Sequence, residues 1–178
     1  TQNASTDTFN VAIGMEAGRE VSTGVQNTLI GGQAGDALTT GGNNTVLGYN
    51  ALSTEDAHGK NVAIGDFSLH TLNAGADGYN TAVGHNAGAA MTTGIQNTII
   101  GGLAGDAITE GQRNVAIGYQ ALSSEDAHGR SVAIGYTSLF SQNAGTDSYN
   151  TAVGYASGIN VTTGVQNTIV GGLAGDAL

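Results

Sequence analysis

Ten times along the chain the same five-residue phrase returns: a polar residue, a β-branched residue, an apolar residue, a branched aliphatic residue and Gly. The glycines are Gly14, Gly31, Gly48, Gly65, Gly84, Gly101, Gly118, Gly135, Gly154 and Gly171, at intervals of 17, 17, 17, 19, 17, 17, 17, 19 and 17 residues. A unit this short buries its apolar surface only against its neighbours, so the chain reads as a stack of coils, not as a domain around one central core. Four intervals make a 70-residue cassette: VQNTLIGGQAGDAL at 25–38 returns as IQNTIIGGLAGDAI at 95–108 and as VQNTIVGGLAGDAL at 165–178. The cassettes run 10–79, 80–149 and, in part, 150–178. The last phrase stops at Leu178 with no change of composition, so residues 1–178 are expected to be one solenoid segment excerpted from a longer fibre.

The residue three before each Gly is always Val or Thr, and the residue one before is always Ile, Val or Leu. Both types favour strands, and a spacing of two puts them on one face. The residue between them (Ala12, Leu29, Val46, Ala63, Ala82, Ile99, Ala116, Ala133, Ala152, Ile169) takes the other face, so both faces are largely apolar, as in a strand buried on two sides. Ala or Ser follows three residues after each Gly, and Gly or Leu after that, which predicts a second short strand with tight size limits. No stretch carries the apolar spacing of a helix. Glycine every few residues would also cost about 1 kcal/mol each inside one. The expected fold is all-β: a parallel β-solenoid of about ten coils of 17–19 residues, roughly 48 Å long at ~4.8 Å per coil.

Before each strand stands Asn10, Asn27, Asn44, Asn61, Asn80, Asn97, Asn114, Asn150 or Asn167, with Ser131 the exception. Stacked amides of this kind predict a hydrogen-bonded ladder along the axis. A thin roll of Ala, Val and Ile leaves an apolar face that association with identical copies would cover.

Acidic residues outnumber basic ones 14 to 4, for a net charge of −10, which argues against a nucleic-acid partner. The chain has no Cys, hence no disulfide framework or thiolate metal site. Its apolar runs are far shorter than a membrane span, so no membrane insertion of this segment is expected.

The phrases Asn61-Val-Ala-Ile-Gly65, Asn80-Thr-Ala-Val-Gly84 and Asn150-Thr-Ala-Val-Gly154 resemble the head repeats of YadA-like trimeric autotransporter adhesins and, more closely, the repeats of bacteriophage tail fibres. The sequence departs from the adhesin repeat in its longer unit and in an Asn that directly precedes the β-branched residue, and the longer, regular coil favours the phage-fibre side. The resemblance implies a left-handed parallel β-roll, a homotrimer, and the Val and Ile of the phrase inside each roll. The core is then expected at Ile13, Ile30, Leu47, Ile64, Val83, Ile100, Ile117, Ile134, Val153 and Val170.

Met15, Tyr49, Asp66, His85, Tyr119, Tyr136 and Tyr155, each directly after its Gly, are expected to face solvent. The two 19-residue coils lengthen the turns 73–79 and 143–149, which should protrude once per cassette, and insertions of this kind carry function in solenoids. Asp77, Tyr79, Asp147 and Tyr149 are therefore the candidates for contact with a glycan or other receptor, although a Tyr packed over its own turn explains them as well. Glu55, Asp56 and His58, repeated as Glu125, Asp126 and His128, mix carboxylates with imidazole in one turn, as a cation site would; a solvated charged turn beside Lys60 and Arg130 is the plainer account. Gly31 to Leu38 comes near a calcium-binding nonapeptide but has Ala34 where a Gly belongs, as its copies have Ala104 and Ala174, and it lacks tandem repetition. A Gly-rich corner with a surface Asp is expected there.

No catalytic residues, and no cofactor, are assigned: no Ser, His and Asp set recurs, and the acids are expected in exposed turns instead of apolar pockets. The expected function is the structural and receptor-engaging part of a trimeric virion tail fibre or similar appendage, at a virion surface or outside the cell. Alternatives are the head of an autotransporter adhesin, an ice-binding solenoid suggested by the Thr content, and a polysaccharide-degrading β-helix.

Overall fold

The computed structural model describes residues 7–177, so Leu178 and the end of the last phrase lie outside the described residues. Ten three-residue strands follow in order: β1 (Val11–Ile13), β2 (Thr28–Ile30), β3 (Thr45–Leu47), β4 (Val62–Ile64), β5 (Thr81–Val83), β6 (Thr98–Ile100), β7 (Val115–Ile117), β8 (Val132–Ile134), β9 (Thr151–Val153) and β10 (Thr168–Val170). Each pairs in parallel with the next in the chain, giving one ten-stranded sheet of sequential order. This is a β-solenoid, all-β, with about nine turns between the first strand and the last. Register follows the phrase: Ile13 lies beside Ile30, Ile30 beside Leu47, and Leu47 beside Ile64. The 19-residue coils keep that register, with Ile64 opposite Val83 and Ile134 opposite Val153, so their extra residues leave the sheet at the turn.

The expected column exists, yet it is not the core. Ile13, Leu47, Ile100 and Val170 are exposed, and Ile30, Ile64, Val83, Ile117, Ile134 and Val153 are only half-buried. The middle residue of the phrase points inward instead: Leu29, Val46, Ala63, Ala82, Ile99, Ala116, Ala133 and Ala152 are buried. A period of two separates the faces but does not say which is inside when both are apolar.

The second strand of each coil is absent among the described residues; a turn takes its place. The reason is backbone hand. Residues two and four after each phrase glycine take left-handed φ, as at Asn50 (53°) with Leu52 (48°), and Gln120 (52°) with Leu122 (54°). Alternating left-handed positions curl the chain away from an extended ladder. Coil-to-coil hydrogen bonds survive there, for example Gly35 N–H to Ala51 C=O at 2.9 Å and Leu52 N–H to Ser68 C=O at 3.0 Å.

These turns form the wall opposite the sheet. Ala34, Ala51, Ala87, Ala104 and Ala121 face the strands, and Leu38, Leu72, Met91 and Ile108 close the far corner, all buried. In five coils volume is balanced between the walls, and where both walls are small, as with Ala82 and Gly88 or Ala152 and Gly158, side chains of the adjacent coils reach in. Where the turn offers Gly35 or Gly105, the strand supplies Leu29 or Ile99; where it offers Leu69, Leu122 or Leu139, the strand supplies only Ala63, Ala116 or Ala133. A methyl group on Gly35 would lie 2.9 Å from Leu29 Cδ2, which is how a narrow lumen keeps close packing.

The amide ladder forms, chiefly as side chain to backbone. Asn44 N–H donates to Asn27 Oδ1 (3.0 Å), Asn61 N–H to Asn44 Oδ1 (3.0 Å) and Asn97 N–H to Asn80 Oδ1 (3.0 Å). Each freed Nδ2 can then satisfy a corner carbonyl, as Asn27 does with Gly41 (2.9 Å) and Asn80 with Gly94 (2.9 Å). Asn10, Asn114, Asn150 and Asn167 take part in the same pattern. Ser131 interrupts it. Its hydroxyl meets that of Ser148, and Gln142 reaches through the core to accept from Asn150 Nδ2 at 2.5 Å, replacing the missing amide.

Candidate functional site

The strongest candidate is the corner where the short turn 55–60 meets the long turn 73–79, repeated 70 residues on as 125–130 and 143–149. Contrary to the sequence expectation of a solvated charged turn, Glu55 and Glu125 are fully buried. They occupy the far-corner column that elsewhere holds Val21, Leu38, Leu72, Met91, Ile108, Gln142 and Val161. A charge buried there must be matched by donors. Glu55 Oε1 accepts from His58 N–H (3.1 Å) and Oε2 from Ala74 N–H (3.0 Å), so one carboxylate ties its own turn to the protruding loop of the next coil. Lining the coils up by their glycines would have exposed this acidic interruption.

His58 Nδ1 lies 3.5 Å from Glu55 Oε1, and His128 Nδ1 lies 3.9 Å from Glu125 Oε1. Asp56 and Asp126 are exposed, with ligand atoms near enough to join a cation cluster in both copies. The glutamate is already committed to backbone donors, two in the first copy and His128 N–H in the second. In the second copy Oε2 lacks the regular hydrogen bond seen in the first. Burial pushes the Glu125 carboxyl above its ordinary value, and the His128 N–H and imidazole only partly offset this.

A buried carboxyl with a raised pKa favours the folded state when protonated. Its contribution therefore declines as pH rises from the usual carboxylate range through the folded value, and the penalty persists above it. Glu125→Gln keeps an acceptor for His128 N–H and removes the charge. The variant is expected to match or exceed the parent in thermal midpoint at pH 7, with the difference shrinking toward pH 4. A Gln variant that loses more stability at pH 7 than at pH 4 would contradict this account.

Asp77 and Tyr79 do come together, held by the preceding coil. Lys60 Nζ reaches Asp77 Oδ2 at 2.6 Å and Tyr79 Oη at 2.9 Å, and lies 5.0 Å from the Tyr79 ring centre. The hydrogen bond to Lys60 holds the Asp77 carboxyl below its ordinary pKa, and the same bond raises that of Lys60. Asp77 Oδ1 also accepts from Gly59 N–H (3.3 Å). Arg130, Asp147 and Tyr149 repeat the arrangement, with Arg130 5.5 Å from the Tyr149 ring centre. Tyr79 and Tyr149 remain about half exposed, so each loop is a rigid knob carrying an accessible aromatic edge.

The residues after the glycines face solvent, as expected: Tyr119, Tyr136 and Tyr155 stack, with ring centres 5.6 and 5.4 Å apart. The first cassette has Tyr49, Asp66 and His85 in the same column, with Phe67 edge-on to Tyr49 and His85. The expected surface Asp at position 36 is instead buried and paired with Arg19 (3.1 Å), its pKa raised chiefly by desolvation. Asp36, Ser53 and His70 follow one another in adjacent coils, and Ser53 Oγ lies 2.8 Å from His70 Nδ1. The acid sits beyond the serine, not behind the imidazole, so this column lacks the order of a proton-relay triad.

Sequence inspection missed the column just before the ladder, where Gln96, Arg113, Arg130 and Tyr149 all take left-handed φ between 51° and 65°. It turns those side chains out at the corner beside the loops.

Together the fold and corner define a repetitive β-solenoid rod that carries one rigid, polar knob per cassette along its edge. No protein-family model, curated protein or solved structure matches the chain at a significant level. Among the described residues no helix is long and apolar enough to cross a membrane.

Proposed function

We propose that this chain is the structural and receptor-engaging segment of a homotrimeric fibre, a virion tail fibre or similar surface appendage, that attaches its bearer to a host surface. The observation that carries this reading is the outward sheet face. Ile13, Leu47, Ile100 and Val170 stand exposed in a column shared with half-buried Ile and Val from every other coil. An apolar stripe along a whole rod is unusual for a monomer in water. Identical copies set in parallel and in register would bury it at every coil, because each coil offers the same surface. The phrase's resemblance to trimeric fibre repeats supports left-handed coils and three chains, and a repeated knob suits multivalent attachment, where weak single contacts multiply.

The test is the assembled mass by light scattering, expected at three times the chain mass of 17.6 kDa. Paired charges in the outer column, Ile117→Asp with Ile134→Asp, are expected to give monomers that keep their β-rich circular dichroism. A parent chain monomeric at micromolar concentration overturns the reading.

An autotransporter adhesin head shares this assembly, and a membrane-anchor barrel encoded downstream would decide for it. Outward Thr28, Thr45, Thr81 and Thr98 occur singly beside Ile, Leu or Val instead of in Thr-x-Thr pairs, which disfavours ice binding, and a thermal-hysteresis assay is expected to be negative.

A further inference from the structure

The chain has only four Lys and Arg residues against 14 acids. Three of the four are paired with carboxylates: Arg19 with Glu16 and Asp36 at 3.1 Å each, Lys60 with Asp77, and Arg130 with Asp147. Arg113 is the exception, with no carboxylate of the described residues within ion-pair distance. In so acidic a protein, a guanidinium without an acid stands out. Its Nε donates to Gln96 Oε1 at 3.0 Å, which fixes the side chain while both terminal nitrogens stay uncommitted to any described acid.

Arg113 lines a cleft of about 210 Å³ beside the second knob. Three successive coils build it: Glu110, Gln112 and Arg113 from one, Ala127, Gly129 and Arg130 from the next, and Asp147 from the third. Small residues, Ala127 and Gly129, leave the middle open, and acceptors and donors face each other around it. Glu110 and Arg113 both line the cleft without pairing to each other. The first cassette has Thr40, Gly42 and Asn43 in the places of Glu110, Gln112 and Arg113, so this set of charges belongs to the second cassette.

We propose that this cleft binds a carboxylate-bearing pyranose unit of a surface polysaccharide, an inference that rests on the attachment reading above and names its ligand. The ligand carboxylate would take the planar fork of Arg113, which suits two-point recognition of a carboxylate. Its ring hydroxyls would be shared among Glu110, Gln112 and the Arg130–Asp147 pair. The net charge of the chain does not forbid an anion: within the cleft Arg130 and Arg113 balance Asp147 and Glu110, and surface charges more than about 8 Å away are largely screened at physiological salt.

The test uses two probes, trigalacturonate and sialyllactose, each beside its methyl ester, in saturation-transfer NMR and calorimetric titration against the assembled protein. At least one free acid is expected to bind, with its ester at least tenfold weaker. Arg113→Asn, which installs the residue type of the first cassette, is expected to weaken binding at least tenfold with unchanged circular dichroism and assembled mass. Equal binding of acid and ester, indifference to Arg113→Asn, or no binding of either acid overturns the proposal. Equal adhesion of fluorescent parent and Arg113→Asn fragments to host cells would also overturn this cleft while leaving the attachment reading intact. Failure of the parent chain to adhere at all would instead strike the attachment reading itself.

Discussion

Gly101→Ala is expected to cost the solenoid at least about 3 kcal/mol, read as a lowered urea midpoint. Gly101 has φ +137°, outside the range an L side chain adopts without strain, and an added Cβ would lie 2.5 Å from the carbonyl oxygen of Gly118 in the next coil. Neither atom can yield, because that oxygen belongs to backbone held at the coil spacing by the parallel ladder: Gly118 N–H bonds Ile100 C=O at 2.7 Å. Gly84, placed alike against Gly101, should respond in the same way. Gly145→Ala is the control. Its φ of +66° is also left-handed, but nothing lies within 4 Å of an added methyl, so only backbone strain of about 1 kcal/mol applies. Equal losses at 101 and 145 would show that coil contact does not matter.

The second large effect is a coupling. A side chain at Gly78 would collide with Asn61 Oδ1, the atom that accepts from Asn80 N–H at 3.2 Å. One cassette later the same places hold Ser148 and Ser131, whose hydroxyls meet, with Gln142 where the first cassette has Leu72. Gly78→Ser alone is expected to cost about 2–3 kcal/mol by displacing a buried, hydrogen-bonded amide. Adding Asn61→Ser should return about 1–2 kcal/mol of that loss, and Leu72→Gln more, by restoring an acceptor for Asn80 Nδ2. Additive urea-unfolding energies for the two Ser substitutions would refute a coupled triad. The exchange also explains why the ladder can lose one Asn: the interruption at Ser131 brings its replacement with it.

The candidate corner was half legible. Asp77, Tyr79, Asp147 and Tyr149 were placed on protruding turns by the 19-residue intervals alone, since extra residues in a register-locked stack have nowhere else to go. That Lys60 and Arg130 would clamp those turns was not legible, because the contact joins coils 17 to 19 residues apart, through side chains whose direction depends on a left-handed corner. The burial of the glutamates is hidden in the sequence for a related reason. A local window shows Glu55-Asp56-Ala57-His58 as a polar run, whereas the column through the coils shows Glu55 at a place taken, apart from Glu125 and Gln142, by Leu, Ile, Met or Val.

The ten-fold phrase by itself determined the stacking, the parallel register, the glycine column and the amide ladder, because a fixed spacing of identical residues lets each meet its equivalent only when coils superpose. The inward face was decided only by the tertiary structure. Both faces of most strands are largely apolar, and hydrophobicity would place Ile117 inside before Ala116; the left-handed turns after each glycine bring Leu122 across from Ala116 and leave room there only for a methyl, whereas Leu29 and Ile99 fit inside because Gly35 and Gly105 stand opposite them.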